Sequence, residues 1–345
     1  MRSSEGPAAS LVLDQLKVFK ALADETRLRL MRLLARGALN VNEIFGILEM
    51  GQSRISRHLR ILSEADLVTS RREGTWIYYQ SNAADGESTL VGDTLAHLGA
   101  HERDLPHYES DMQGLEAVLA RRREHTQTYF DSLRDPHEFL EHHSLDGQFY
   151  RQVAVELMPE QCTAVLDMGT GSGLLVPALL ERAERVVAVD SSVTMLELAR
   201  RTVGVESQRC DFRLGDLEHL PVADGEVDAV MACMVLHHLS DPARVLSEAH
   251  RVLSPGGIIV VVDLHRHGDE SLRDRMADLW LGFLPEDIEG WLRSASFHLV
   301  ESGKAVPELD GSNNTQGSHH SPAAQRVGQG EPEPLELITF KGRKP

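Results

Sequence analysis

Cysteine is scarce in this chain. Three residues in 345 (Cys162, Cys210 and Cys233) are too few and too scattered for a disulfide framework or a zinc cluster, and such usage fits a reducing compartment. Long apolar runs are also missing. No stretch approaches the ~20 residues that cross a bilayer, and none near the start resembles a signal peptide. The expectation is a cytoplasmic protein with no membrane partner. Positive charge is short as well. The formal net charge is −18, which argues against a polyanion-binding surface over the whole molecule. The deficit is uneven, however. Residues 1–82 carry 12 Lys/Arg against 9 Asp/Glu, and residues 83–345 carry 23 against 44, so the amino-terminal segment is the one basic part. A chain of this length accommodates two or three domains.

What is present centres on Val165–Asp190. VLDMGTGSG reads as a short strand running into a glycine loop. A helical run from about Leu174 to Arg185 follows, then a second strand, Val186–Val189, ending in Asp190. Glycine is needed where backbone turns tightly or lets a ligand approach with no Cβ in the way. A glycine turn at the carboxyl end of a parallel strand is where doubly wound folds bind nucleotides, and an acid ending the next strand suits a ribose. The spacing is DxGxGxG, with Asp167 before Gly169, Gly171 and Gly173, and not the GxGxxG of dinucleotide folds. It resembles motif I of the class I S-adenosylmethionine-dependent methyltransferases. That resemblance implies S-adenosyl-L-methionine or S-adenosyl-L-homocysteine as cofactor. Asp167 and the glycine loop would hold the methionine part, and Asp190, with Ser191 beside it, the ribose. In Gly215–Asp216–Leu217, after a third strand at Phe212–Leu214, Asp216 would hold the adenine amino group, with Leu217 next to it.

Strands and helices continue to alternate, as a parallel sheet requires. The expected elements are a fourth strand, Val227–Cys233, a helix capped by Asp241, a fifth strand, Ile258–Asp263, a helix over 285–295, and a closing antiparallel pair at Phe297–Gly303 and Leu335–Gly342. The expected fold is α/β, Rossmann-like, with a seven-stranded sheet. Residues 307–334 are too polar to order themselves and are expected as a disordered hairpin loop, not a metal site, despite His319 and His320. VMACMVLHHLSDP…VLSPGG resembles small-molecule methyltransferases of the ubiquinone-biosynthesis type. His237 and His238, just past the fourth strand, are candidates for a catalytic base or for plain packing. No NPPY-like motif and no Pro-Cys nucleophile accompany them, so the sequence names no methyl acceptor.

The amino-terminal part reads as helices over 11–23, 24–36, 41–48 and 52–64, then a hairpin, Leu67–Arg72 and Thr75–Gln80, turned at Glu73–Gly74. The first helix is expected to turn Leu13, Leu16 and Phe19 or Lys20 to one side. In the fourth, Ile55, Leu59 and Leu62 recur at helical spacing and face the core. Gln52, Ser53, Arg54, Ser56, Arg57 and Arg60 leave a carboxylate-free face, which offers donors to base edges and cations to phosphates. Arg71 and Arg72 suit a wing on the DNA backbone. FKALADETRLRLMRLL and SRISRHLRILSEADLV resemble the ArsR-type winged helix-turn-helix repressors. The resemblance implies double-stranded operator DNA and a homodimer, with 88–100 as the dimer helix. The third helix, VNEIFGIL, carries no thiol, so thiolate metal sensing is not implied. Arg121–Arg123 are expected as a solvated face. The expected boundaries are 11–82 for DNA binding, 83–125 for a helical connector and 126–345 for the methyltransferase-like part. Two functions stay open: a regulator that senses S-adenosylmethionine or S-adenosylhomocysteine, and an active methyltransferase on a small molecule with an autoregulatory DNA-binding part. A nucleic-acid methyltransferase ranks third.

Overall fold

The computed structural model describes residues 7–73, 75–82, 97, 99–133, 147–306 and 335–345. The expected loop 307–334, the turn glycine at 74 and most of the helix expected over 88–100 lie outside the described residues.

The amino-terminal unit begins with α1 (Pro7–Leu22), α2 (Glu25–Leu34), β1 (Leu39–Asn40), α3 (Val41–Leu48) and α4 (Gln52–Glu64). The hairpin β2 (Val68–Glu73) and β3 (Trp76–Ser81) follows, and β1 joins it to give the sheet order β1-β3-β2. Short polar residues set the helix starts. Asp24 accepts from the Arg27 N–H at 3.1 Å. Asn40 and Glu43 form a reciprocal capping box at the head of α3, which satisfies amide donors that the helix itself cannot. Leu30, Leu33, Leu34, Ile44, Ile55, Leu59 and Leu62 fill one core. On α1, Leu16 and Phe19 are about half exposed, and Val18, Ala21 and Leu22 are the residues buried against α2 and α4.

One helix, α5 (Tyr108–Ser132), connects this unit to the rest. The boundary expected between residues 125 and 126 therefore falls inside an unbroken 25-residue helix. Its first half belongs to the amino-terminal core through Leu115 and Val118. A buried Asp111 takes Arg29 at 2.6 Å and also pairs with Arg32, both on α2. Its far end packs Tyr129 and Phe130 against Met195 and Leu198.

The carboxyl-terminal unit consists of α6 (Gly147–Leu157), β4 (Cys162–Met168), α7 (Val176–Leu180), β5 (Ala183–Asp190), α8 (Val193–Val203), β6 (Cys210–Leu214), β7 (Val227–Cys233), α9 (Pro242–Val252), β8 (Leu253–Leu264), α10 (Ser271–Met276), α11 (Pro285–Ser294), β9 (His298–Ala305) and β10 (Leu337–Arg343). Its sheet runs β6-β5-β4-β7-β8-β10-β9. Strands β4 to β8 are parallel, and β10 lies antiparallel to both β8 and β9. The central strands are apolar without alternation because helices cover both faces. The helix expected to reach Arg185 is shorter: the chain joins the sheet from Ala183, where it pairs with Cys162. The strand order reverses between β4 and β7, and a crevice opens there at the strands' carboxyl ends.

Candidate functional site

The glycine loop leaves β4 into that crevice. Gly169, Gly171 and Gly173 all have positive φ, between 53° and 77°. A side chain on Gly171 would meet nothing within 4 Å, so this position is open cradle. Gly173 also does different work: a Cβ there would stand 2.8 Å from the Ala199 backbone on α8, so it lets the loop pack close against that helix. Asp190 ties the loop down, accepting from the Gly171 N–H at 2.8 Å and the Ser192 N–H at 2.9 Å. Asp167 accepts from the Thr170 hydroxyl at 2.7 Å. Burial raises the Asp167 carboxyl to about 6, against the help of that hydroxyl, and burial raises Asp190 too.

The cavity encloses about 460 Å³, within the usual range for small-ligand sites. Asp167, Gly169, Gly171, Asp190, Ser191, Asp216 and Leu217 all line it, so seven of the eight expected positions come together. Sequence reasoning missed Arg123 and Gln127 on a wall from α5, where Thr126 and Phe130 also lie. It also missed Glu218, which pairs with Arg123 at 3.6 Å. Burial, then the charges of Asp216 and Asp241, lift the Glu218 carboxyl to about 7. Cys233 is on the wall as a thiol, because burial pushes it well above its ordinary value.

The two histidines separate. His238 lines the cavity. His237 does not, and its side chain is fully buried. Its Nδ1 stands 2.6 Å from Asp263 Oδ1. Burial works to lower its pKa, but the charges of Asp263 and Asp278 outweigh burial and raise it to about 9. His237 therefore cannot reach a substrate in the cavity. The carbonyl of His237 takes two amide donors, Leu279 and Trp280, at 3.0 Å each, and the Trp280 indole donates to the Leu239 carbonyl at 2.8 Å.

That tryptophan meets the hairpin. Arg71 lies 4.8 Å above its ring and 5.6 Å from the Phe283 ring, and reaches Asp287 at 3.2 Å. Arg71 thus faces the carboxyl-terminal unit, not outward as a backbone-gripping wing residue would. The cause is an aromatic seat with a carboxylate at its rim, which suits a guanidinium. Arg72 stays exposed, and its carbonyl accepts from Arg266. Tyr78 on β3 meets Trp280 edge-on at 5.1 Å. The expected solvated face is corrected at Arg122, which is buried. It grips Glu43 of α3 at 2.7 Å and covers Tyr78 and Trp280. On α4, Gln52, Ser53, Arg54, Ser56, Arg57 and Arg60 are all exposed on one side, with Ile55, Leu59 and Leu62 buried on the other. Gln52 hydrogen-bonds Asn42 at 2.7 Å.

Residues 24–70 match the family model described as bacterial regulatory protein, arsR family, and residues 166–261 match that of a methyltransferase domain. The chain joins an arsR-type regulatory domain to a methyltransferase domain. An uncharacterised methyltransferase of Mycobacterium bovis is 40% identical over 106 residues, 31% of this chain and 42% of its own length. The Hahella chejuensis ubiquinone biosynthesis O-methyltransferase is 33% identical over 152 residues, 40% of this chain and 63% of its own. The matched region thus spans under two thirds of either relative. Among solved structures, a Haloferax volcanii complex of the Trm112 activator with a methyltransferase matches at TM-score 0.47 and 24% identity, over 62% of this chain and 100% of that one. No described helix is long and apolar enough to cross a membrane.

Proposed function

We propose that the protein is a DNA-binding transcription regulator, a repressor, whose methyltransferase domain binds S-adenosylmethionine or S-adenosylhomocysteine as an effector. The residues in the crevice fit that nucleotide: Gly171 leaves an open cradle, Asp167 offers a carboxylate to an ammonium, and Asp190 and Asp216 offer acceptors to hydroxyl and amino groups. The observation that carries the regulatory reading is the double attachment of the DNA-binding unit to the pocket. Helix α5 is core at one end and pocket wall at the other. The wing touches Trp280, whose indole and amide hold Leu239 and His237, next to His238. A ligand that moves this wall changes the orientation of α4 relative to DNA. Effector coupling requires such differential contacts between two states.

The active unit is a homodimer on a two-fold operator, because a recognition helix reads one half-site and its copy reads the next. Selection from a random pool of duplex DNA tests this. The chain should recover a palindromic site, and saturating S-adenosylhomocysteine should change its affinity about 5- to 150-fold. Recovery of no symmetric site, or equal affinity with and without both nucleotides, defeats the proposal.

A second reading, methyl transfer to a small molecule, draws on His238, an imidazole on the cavity wall. It predicts turnover with some acceptor and a rate loss of about 10²–10⁴ in His238→Ala, with cofactor affinity kept.

A further inference from the structure

Behind the cavity wall, three buried side chains point donor atoms at one another. His237 and His238 sit on the short turn Leu236–His238 after β7, and Asp278 follows α10, where Ala277 takes a left-handed conformation. One donor atom from each residue lies within 4.8 Å of the other two. Asp278 Oδ1 stands 3.8 Å from His237 Nε2 and 3.7 Å from His238 Nδ1. Those separations are too long for hydrogen bonds. His238 Nδ1 also stands 3.4 Å from the Ala277 carbonyl, a contact an ion would replace. Neither His237 Nε2 nor Asp278 Oδ1 has a hydrogen-bond partner among the described residues, and both side chains are at least 98% buried. Unpaired buried polar atoms are costly and call for an explanation.

The surroundings are organised for a cation. Asp263, at the end of β8, accepts from His237 Nδ1 at 2.6 Å and from the Leu236 N–H at 2.9 Å. A carboxylate on one imidazole nitrogen fixes the ring, as it does behind metal-bound histidines, and an ion bound at Nε2 would displace the proton that the two carboxylates hold on the ring. The amides of Leu279 and Trp280 hold the His237 carbonyl, so the turn and the Asp278 segment form one unit. In a tetrahedral site with bonds near 2.1 Å, donors stand about 3.4 Å apart. The two Asp278 distances, 3.7 and 3.8 Å, close to that with shifts of a few tenths of an ångström, and the two imidazoles, within 4.8 Å of one another, close to it by a turn of the His238 ring.

We propose that His237, His238 and Asp278 form a binding site for a divalent first-row transition-metal ion of the zinc type, with Asp263 as the positioning residue for His237. Two imidazoles and one carboxylate select against calcium and magnesium, which prefer all-oxygen ligation. Three protein donors leave a coordination position open. His238 is the ligand that also lines the large cavity, so the open position lies on the side where a methyl acceptor or an effector would enter.

The test uses the full, tag-free chain, stripped with chelator and titrated with zinc(II) and cobalt(II). The expected result is one equivalent bound, with visible cobalt d–d bands that zinc abolishes. X-ray absorption of the zinc form should show imidazole scattering. Asp278→Asn and His237→Gln should each weaken zinc at least tenfold, and Asp263→Asn roughly 10- to 100-fold. The double variant His319→Ala/His320→Ala should bind as the parent does. Circular dichroism and thermal melting of every variant control for folding. If the buried-site variants fail to fold, the imidazole signature of the parent, retained in the His319/His320 variant, decides. No stoichiometric binding, absent imidazole scattering, or affinity lost only with His319 and His320 would overturn the site.

Discussion

Arg71 is one of the residues on which the two units meet. Its guanidinium covers Trp280 and pairs with Asp287 at 3.2 Å, with 18% and 31% of the two side chains still exposed. A partly exposed pair of this kind contributes about 0.5–1 kcal/mol. Asp287→Asn should free Arg71 for phosphate and raise DNA affinity roughly two- to fivefold, measured by fluorescence anisotropy. Unchanged affinity would mean that Arg71 does not partition between DNA and the methyltransferase domain. The loop glycines make a second contrast. Gly171→Ala meets open space and Gly173→Ala meets the Ala199 backbone, both at positive φ. Gly173→Ala should lower stability by about 1–3 kcal/mol, seen as a lower melting temperature. Gly171→Ala should cost less stability but obstruct the nucleotide, cutting its affinity at least tenfold by about the energy of one lost contact surface.

Asp167 carries a pH dependence. Its carboxyl is raised from 3.8 to about 6 in the unliganded fold. An acid whose folded pKa is raised adds stability when protonated, and that stability is lost as pH rises through about 6. An ammonium ligand needs the charged form. Affinity for S-adenosylhomocysteine should therefore fall as pH drops from 7 to 5, while the unliganded fold gains stability from this group. Paired calorimetric and melting series over that range check both signs.

At the scale of elements, α5 decides whether the units are separate. Its Leu115 and Val118 are core of the regulatory domain, and its Phe130 is pocket wall. A proline in a helix interior costs about 3 kcal/mol and kinks it. Glu124→Pro should thus leave nucleotide binding and DNA binding individually measurable and reduce the effect of one on the other. Coupling of parental size in that variant would move the signal to the wing alone. What the sequence revealed of such elements was local. The two aspartates and three glycines around β4 and β5 lie within one strand–loop–strand and are legible from spacing, and so is the exposed face of α4. The seat of Arg71, the Asp278 partner of His237 and the Arg122–Glu43 bridge join residues 41 to 216 positions apart. No periodicity encodes such pairs. Helix α1 shows the same limit: Leu16 and Phe19 recur at helical spacing, yet the packing of α2 and α4 buries Val18, Ala21 and Leu22.

At the scale of the molecule, charge and connection divide the labour. The basic excess sits in residues 1–82, and the acidic remainder holds the pocket. A DNA contact made through α4 should weaken steeply with salt, since each neutralised phosphate adds about 0.9 to the logarithmic slope. The excess of acid over base in residues 83–345, 44 against 23, disfavours a DNA contact there. In the proposed regulator, the influence of the methyltransferase domain on α4 passes through α5 and the wing. The most direct measurement is calorimetric titration of the purified protein with S-adenosylhomocysteine and with S-adenosylmethionine, each with and without a selected operator duplex. The account predicts that at least one nucleotide binds and that its affinity changes by the same factor by which it changes DNA affinity, because linkage is reciprocal. Nucleotide affinities that are identical with and without the operator would contradict it.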